Sequence, residues 1–335
     1  MRMITYLAIF ALLFVLELIY MRLALRLHIV DRPNERSSHS HIVLRGGGIV
    51  FLLGVWLWAA FFGFHYPWFL AGMALIAVVS FVDDVHSLPD SWRLVVQFAS
   101  MILAFVDLAP MGLDWWWEVA ALIVCVGILN AYNFMDGING ITGGYSLAVL
   151  LPLLYLDTCG LERLGLSAPF IEPSFLLVAT LSALVLCFFN FRTKAKCFAG
   201  DVGSIGVAFI IVFALARLMV ATQDVSYIAF LLLYGVDSVL TICHRILLHE
   251  NLGVAHRKHA FQLMTNELKM PHLVVSSIYM SLQLVVSFGM IFLSVNNYVY
   301  CLIVGLIVAA AYLLFMKKYY HLHEEYLASL PGNEK

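Results

Sequence analysis

Charge is scarce in this sequence. Asp, Glu, Lys and Arg make up 12% of its 335 residues, hydrophobic residues make up 63%, and the mean hydropathy is +0.93. A soluble domain carries about a quarter charged residues, so the scarcity excludes one and points to an integral membrane protein. The formal net charge is only −2, which gives no bulk electrostatic means of holding a polyanion; no nucleic-acid partner is expected. Cysteine pairing is missing as well. Cys125, Cys187, Cys243 and Cys301 fall inside apolar runs, Cys159 stands alone in a loop and Cys197 lies in a basic loop. Without a CxxC or a plausible pair, neither a disulfide framework nor a zinc site is suggested. HExxH is absent, and no full set of zinc ligands replaces it, which argues against an intramembrane metalloprotease. The first apolar run, Met3 to Leu25, is too long for a signal-peptide core and has no small-residue cleavage site, so it is expected to be a retained span.

Apolar length is what the chain has in abundance. A bilayer core takes about 20 apolar residues per helix, and runs of that kind lie near 3 to 25, 47 to 64, 67 to 82, 92 to 109, 115 to 132, 140 to 156, 173 to 190, 202 to 221, 225 to 244, 272 to 293 and 298 to 316. The expected fold class is therefore all-α: a polytopic integral membrane protein of about eleven transmembrane helices, forming one domain over residues 1–335. An odd number of spans puts the termini on opposite sides. With the C-terminus cytoplasmic, that face collects 15 of the 19 basic residues, among them Arg26, Arg32, Arg36, Arg45, Arg93, Arg192, Arg245 and Lys335, while Arg2, Arg163 and Arg217 go to the other. Cytoplasmic loops retain Lys and Arg, so the N-terminus is expected outside.

The polar chemistry sits in five loops of the basic face. The first, "DRPNERSSHSHIVLRGGG", brings three glycines beside Arg45; backbone amides there can approach a phosphate closely, or the glycines can serve tight helix packing. Arg32, Arg36, His39 and His41 read as a solvated basic stretch near anionic headgroups. The second places Asp83 and Asp84 side by side where a span ends. Two adjacent carboxylates repel, and a divalent cation or protonated partner would relieve them. In the third, Asn133, Asp136 and Asn139 recur at intervals of three and would share one helix face, offering donors and acceptors to a nucleobase or sugar. The fourth, "NFRTKAKCFAGDVGS", leads from Asn190 through three cations to Asp201 at the mouth of a span. Asp201 there can hold a hydrated Mg2+ bridging to phosphate, or cap the helix that follows. The fifth contains His256, Arg257 and His259, suited to a diphosphate. Asp237, two turns before Arg245, reads equally as half of a buried ion pair or as a ligand contact.

These loops, in this order, resemble the polyprenyl-phosphate N-acetylhexosamine-1-phosphate transferases. The resemblance runs through Arg45-Gly46-Gly47-Gly48, Asp83-Asp84, Arg93 with Gln97, Asn133 to Gly140, Asn190, "GDVGS" at 200 to 204, Asp237 with Arg245, and Arg257 with His259. It implies transfer of a sugar 1-phosphate from a UDP-N-acetyl amino sugar to undecaprenyl phosphate at the bacterial inner membrane, with release of UMP and direct attack by the lipid phosphate. It implies Mg2+, or Mn2+ in its place, held by Asp201 and Asp84, with Asp83 positioning or deprotonating the lipid phosphate and His259 counted with the catalytic residues. Asn133, Asp136, Asn139 and Asn190 would face the nucleotide sugar, while Arg45, Arg93, Arg257 and His259 would neutralise diphosphate charge. A homodimer is left open. The chain departs from the family at Leu44 in place of Pro, at Asn139 in place of Asp, in lacking a Pro before Asp201, and at Phe261 and Gln262, where relatives carry histidines. The last change is expected to mark a different sugar, nearest to members that initiate O-antigen and lipopolysaccharide synthesis.

Overall fold

The computed structural model describes residues 2–31, 42–108, 114–254 and 256–329. Arg32, Arg36, His39, His41 and Lys335 lie outside the described residues. The chain runs α1 (Arg2–Leu27), an antiparallel ribbon of β1 (Val30–Asp31) and β2 (Val43–Leu44), α2 (Ile49–Phe62), α3 (Pro67–Val85), α4 (Asp90–Leu108), α5 (Trp115–Met135), α6 (Ile141–Thr158), α7 (Leu161–Leu164) and α8 (Pro173–Asn190). After these come α9 (Gly200–Thr222), a 3-10 turn (Val225–Leu231), α10 (Leu232–Leu247), α11 (Ala260–Asn266), α12 (His272–Phe292) and α13 (Asn297–Ala328).

Among the described residues, ten helical stretches are long and apolar enough to cross a membrane. The eleventh expected span, near 47 to 64, is α2, whose 14 residues reach about 21 Å, short of a hydrocarbon core of about 30 Å. Other expected ends also move. α3 continues to Val85 and α9 begins at Gly200, so Asp83, Asp84 and Asp201 stand on helices rather than beyond them. The run near 225 to 244 divides into the 3-10 turn and α10. α13 runs on from the expected end at 316 to Ala328.

Burial explains which helix sits where. α9 is apolar on every side and buried from Gly200 to Leu215, and it packs against α2, α3, α4, α5, α6 and α8; a helix without a polar face belongs at a centre. α1 and α13 lie outside, with Ile4, Leu7, Leu302, Ile303, Leu306 and Ile307 on the surface. In lipid an apolar surface is no liability, so helix association rests on close packing and polar contacts between helices. Trp58 donates to Ser174 Oγ at 2.9 Å, Tyr145 donates to Gln283 Oε1 at 2.7 Å, and the rings of Tyr145 and Tyr234 stack 3.5 Å apart.

The ends of the bundle differ. One end is stitched by structural bonds: Asp107 accepts from Phe69 N, Asp157 from Ile171 N, and Arg217 donates to Phe170 O. The other gathers all five polar loops, because β2 bridges Leu44 to Cys197, Gly140 N donates to Asn190, and Gly137 lies against Phe261.

Candidate active site

Three helix ends build the centre of that face. α3 supplies Asp83 and Asp84, α4 supplies Arg93 from its first turn, and α9 supplies Asp201 from its own. Arg45, just ahead of α2, reaches across them: its Nε lies 2.7 Å from Asp84 Oδ1 and its Nη2 3.1 Å from Asp201 Oδ1. Arg93 Nη2 meets the other oxygen of Asp201 at 2.9 Å, and its Nη1 stands 3.4 Å from Asp83. Asn133 donates to Asp201 Oδ2 at 3.3 Å and accepts from Ser204 at 2.9 Å. Burial opposes the charge of Arg45, but Asp84 and Asp201 outweigh it and hold its pKa above the ordinary guanidinium value. Two guanidiniums thus face three buried carboxylates.

Asp84 has a task that sequence did not show. Its Oδ1 accepts from Asp201 N at 2.9 Å and its Oδ2 from Val202 N at 3.0 Å. These are first-turn amides of α9, which its own N-cap position, Ala199, cannot satisfy. The cap expected of Asp201 is therefore supplied across the structure by α3. The glycines make this approach feasible. Gly48 and Gly203 pack so tightly that a Cβ on Gly48 would lie 2.0 Å from Gly203 Cα, and a Cβ on Gly200, at φ +71°, would meet Asp84 Oδ2 at 2.6 Å.

The third loop departs from the single helix face expected of it. α5 ends at Met135, Asp136 leaves the helix at φ −78° and ψ 66°, and Gly140 turns left-handed at φ +84°. Only Asn133 reaches the carboxylate centre. Asp136 accepts from Thr142 at 2.6 Å. It is partly exposed as a residue but has its carboxyl enclosed, and burial pushes its pKa up to about 6, with Thr142 opposing and the charge of Asp201 adding to the rise. Asn139 donates to the carbonyls of Arg192 and Thr193, and Asn190 accepts from Gly140 N at 2.7 Å while donating to Cys197 O at 2.9 Å. Both side-chain ends of Asn190 are spent on backbone, so it staples two loops, a different position from the ligand contact expected of it.

The fifth loop forms a separate cluster. Asp237 and Arg245 do not pair. Asp237 accepts from Tyr279 at 2.6 Å and faces His259 Nδ1 at 3.1 Å, whereas Arg245 binds Glu250 and the carbonyls of Asn251, Leu252 and Val254. Arg245 thereby shapes the loop from inside, and Glu250 also receives Lys258. His256 is held down to about pKa 3, by burial first and then by His259 and nearby cations, so it stays neutral. His259 Nε2 is buried without a hydrogen-bond partner among the described residues, and no described contact joins His259 to Asp83, Asp84 or Asp201. Phe261 is buried against Gly137, and Gln262 Oε1 accepts from His259 N. Packing and capping account for those two residues locally.

A cavity of about 910 Å³ lies where the third and fourth loops meet Arg257 of the fifth and the end of α13. Asn139, Thr193, Lys194 and Phe198 line one side and Arg257, Glu267, Lys269 and Tyr326 the other. Sequence reasoning missed Phe198, Glu267 and the end of α13, which no motif marks. It also passed over Glu17 and Tyr20 on α1. Tyr20 donates to Arg45 O at 2.7 Å, and Glu17 is fully buried beside Cys197. A carboxyl inside a span was the available signal, because such a group is costly in hydrocarbon.

The donor set bears on a metal. Among the described residues no three of His, Cys, Asp and Glu form a cage, and both oxygens of Asp84 are taken by amides and Arg45. Asp201 and Asp83 offer hard carboxylate oxygens, and Mg2+ is characteristically held by one or two carboxylates together with substrate phosphates. Asp201 and Asp83 are of the chemical kind that mode requires, whereas Asp84, expected as a second ligand, already has both oxygens engaged.

Comparison with known proteins finds similarity over part of the chain. Glycosyl transferase family 4 matches residues 66–220, from the start of α3 to the end of α9. A probable undecaprenyl-phosphate N-acetylglucosaminyl 1-phosphate transferase of Bacillus subtilis is 26% identical over 258 residues, 71% of this chain and 70% of its own. An undecaprenyl-phosphate alpha-N-acetylglucosaminyl 1-phosphate transferase of Yersinia pestis is 28% identical over 60% of this chain and 58% of its own. A phospho-N-acetylmuramoyl-pentapeptide-transferase of Thermotoga neapolitana is 31% identical over 41% and 48%. The chain thus spans about half to somewhat over two thirds of the length of these relatives. Over these stretches the chain is similar to glycosyl transferase family 4 and to polyprenyl-phosphate sugar-1-phosphate transferases.

Proposed function

We propose that the protein moves an N-acetylated amino-sugar 1-phosphate from a UDP-sugar to undecaprenyl phosphate. UMP is released and the lipid diphosphate sugar starts a surface polysaccharide such as O-antigen. The observation that carries the reading is the convergence of Arg45 and Arg93 on Asp201 beside Asp83, at the mouth of a membrane-embedded bundle. A lipid phosphate and a diphosphate must come together here, and their repulsion is what the site has to overcome. Guanidiniums are planar forks matched to phosphate oxygens, and phosphoryl transfer depends mainly on positioning and on charge stabilisation.

In the proposed reaction an oxygen of the lipid phosphate attacks the β-phosphorus of the UDP-sugar, and the bond from that phosphorus to the oxygen leaving with UMP breaks. Asp83 orients the acceptor phosphate and takes its proton when it arrives protonated; Arg45 and Arg93 hold the phosphate oxygens. Asn133 fixes Asp201. Asp201 would hold Mg2+, which when bound would supply further neutralisation of diphosphate charge. The cavity bounded by Phe198, Lys194 and Arg257 takes the nucleotide sugar, offering an aromatic face and cations. The site opens to the cytoplasm of a bacterial inner membrane, with the N-terminus outside, in keeping with the basic residues of that face.

The test is incubation of purified protein with undecaprenyl phosphate, Mg2+ and a panel of UDP-N-acetyl sugars, followed by mass analysis of the lipid. A lipid diphosphate sugar with equimolar UMP is expected. No lipid product from any member of the panel overturns the reading.

A further inference from the structure

α13 is longer than crossing a membrane requires. Its 32 residues extend about 48 Å, against a hydrocarbon core of about 30 Å. Its lipid-facing part is largely exposed, yet its far end buries His323, at 2% exposure. Glu267, just past α11, is what it meets. One oxygen, Glu267 Oε1, lies 3.0 Å from His323 Nδ1 and 3.2 Å from Arg257 Nη2. The ring of Tyr326 then lies 4.4 Å from the Arg257 guanidinium. The second oxygen, Oε2, is buried without a hydrogen-bond partner among the described residues.

A buried carboxylate with an unpaired oxygen is a poor tether, since an apolar contact would hold two helices at lower cost. It is a good way to fix a guanidinium. Clamped by a carboxylate and a ring face, Arg257 loses its rotamer freedom before any ligand arrives, and that lowers the cost of binding. The same end of α13 also lines the cavity, through Leu322, Glu325, Tyr326 and Ser329. Lys194 and Lys269 join Arg257 as the cationic part of the lining, where a diphosphate is attracted. Glu325 repels phosphate, but its carboxylate, the Tyr326 ring and the Ser329 hydroxyl suit the hydroxyls and acetamido N–H of a pyranose.

We propose that the extramembrane end of α13 is the sugar-side wall of the donor cavity, held in place with Arg257 by the Glu267–His323 contact, and that it sets which nucleotide sugar is accepted. This rests on the transferase reading above. Glu267 and His323 are positioning residues; Glu325 and Tyr326 are specificity-determining.

The experiment begins with wild-type turnover of UDP-N-acetylglucosamine and undecaprenyl phosphate. Absence of turnover with every UDP-sugar defeats the transferase reading, and this inference with it. Given turnover, His323→Leu and Glu267→Gln are expected to raise donor KM about tenfold while acceptor KM stays within about twofold, the loss of a charge-assisted bond on one substrate only. His323→Gln, which keeps a donor, should recover part of the loss. Unchanged donor KM, or equal rises in both KM values, overturns the proposal. Glu325 is exposed, so Glu325→Ala tests the wall in a folded protein: kcat/KM for two UDP-N-acetyl sugars is expected to change in ratio by about threefold or more, as one lost hydrogen bond implies. An unchanged ratio overturns it equally.

Discussion

At the scale of single residues, the two adjacent aspartates are chemically alike and structurally different. Asp84 spends both oxygens on the first turn of α9 and on Arg45, whereas Asp83 is held by Leu88 N and a longer contact to Arg93. Asp84→Asn is therefore expected to destabilise the folded protein by about 3–5 kcal/mol, the cost of breaking a buried ion pair, with a lowered Tm in detergent. Asp83→Asn should leave Tm close to wild type and lower turnover. Equal Tm losses in the two variants would overturn this division. Asp201→Asn should reduce kcat by about a hundredfold or more and abolish dependence on Mg2+; metal-stimulated turnover in that variant would remove Asp201 from the metal. Asp136 gives a pH signature. Its pKa in the folded protein, about 6, lies above the ordinary 3.8, so the stability it contributes is complete below pH 3.8 and is lost as pH rises through 6. The Tm of Asp136→Asn should accordingly gain on wild type between pH 5 and 7, and parallel curves would contradict the shift.

At the scale of elements, residue types were more legible than residue partners. Asp83, Asp84, Asp201, Arg45 and Arg93 stand out in the sequence because charge near a span is expensive, and they do meet. Asn133, Asp136 and Asn139 share a spacing of three, but spacing fixes a common face only while the helix continues, and α5 stops at Met135. Asp237 and Arg245 are two turns apart and still turn to different partners, since tertiary neighbours offered each a better one. Ten of the eleven expected spans were readable from apolar length. The shortness of α2, the extension of α13 and the cap lent by α3 were not, because all three depend on what another element brings nearby. The closest such approach, Gly48 on Gly203, gives a sharp prediction. Gly48→Ala should prevent α2 and α9 from docking, and little correctly folded protein should be recovered on size-exclusion chromatography in detergent, because its Cβ would lie 2.0 Å from Gly203 Cα and backbone atoms cannot give way by the roughly 1 Å or more needed. Wild-type yield and activity in that variant would refute the contact.

At the scale of the whole molecule, the two ends of the bundle should be distinguishable from outside the cell. Cys159 is exposed at the end of α6 remote from the five polar loops. A membrane-impermeant maleimide is expected to label Cys159 in intact cells, and a cysteine placed at Lys194 only after lysis. The reverse pattern would invert the proposed orientation. Direct attack makes a further prediction about the molecule as a catalyst: labelled UMP should not exchange into the UDP-sugar when lipid acceptor is absent. Rapid exchange would require a phosphorylated enzyme in place of a single displacement.

The carboxylate that closes the first turn of α9 belongs to a helix more than a hundred residues earlier in the chain. Neither helix can finish its own architecture alone, so a molecule threaded into the bilayer with one of the two reversed would have frayed amides at its centre and no gathered charges. Faulty insertion and loss of the gathered site are thus the same event.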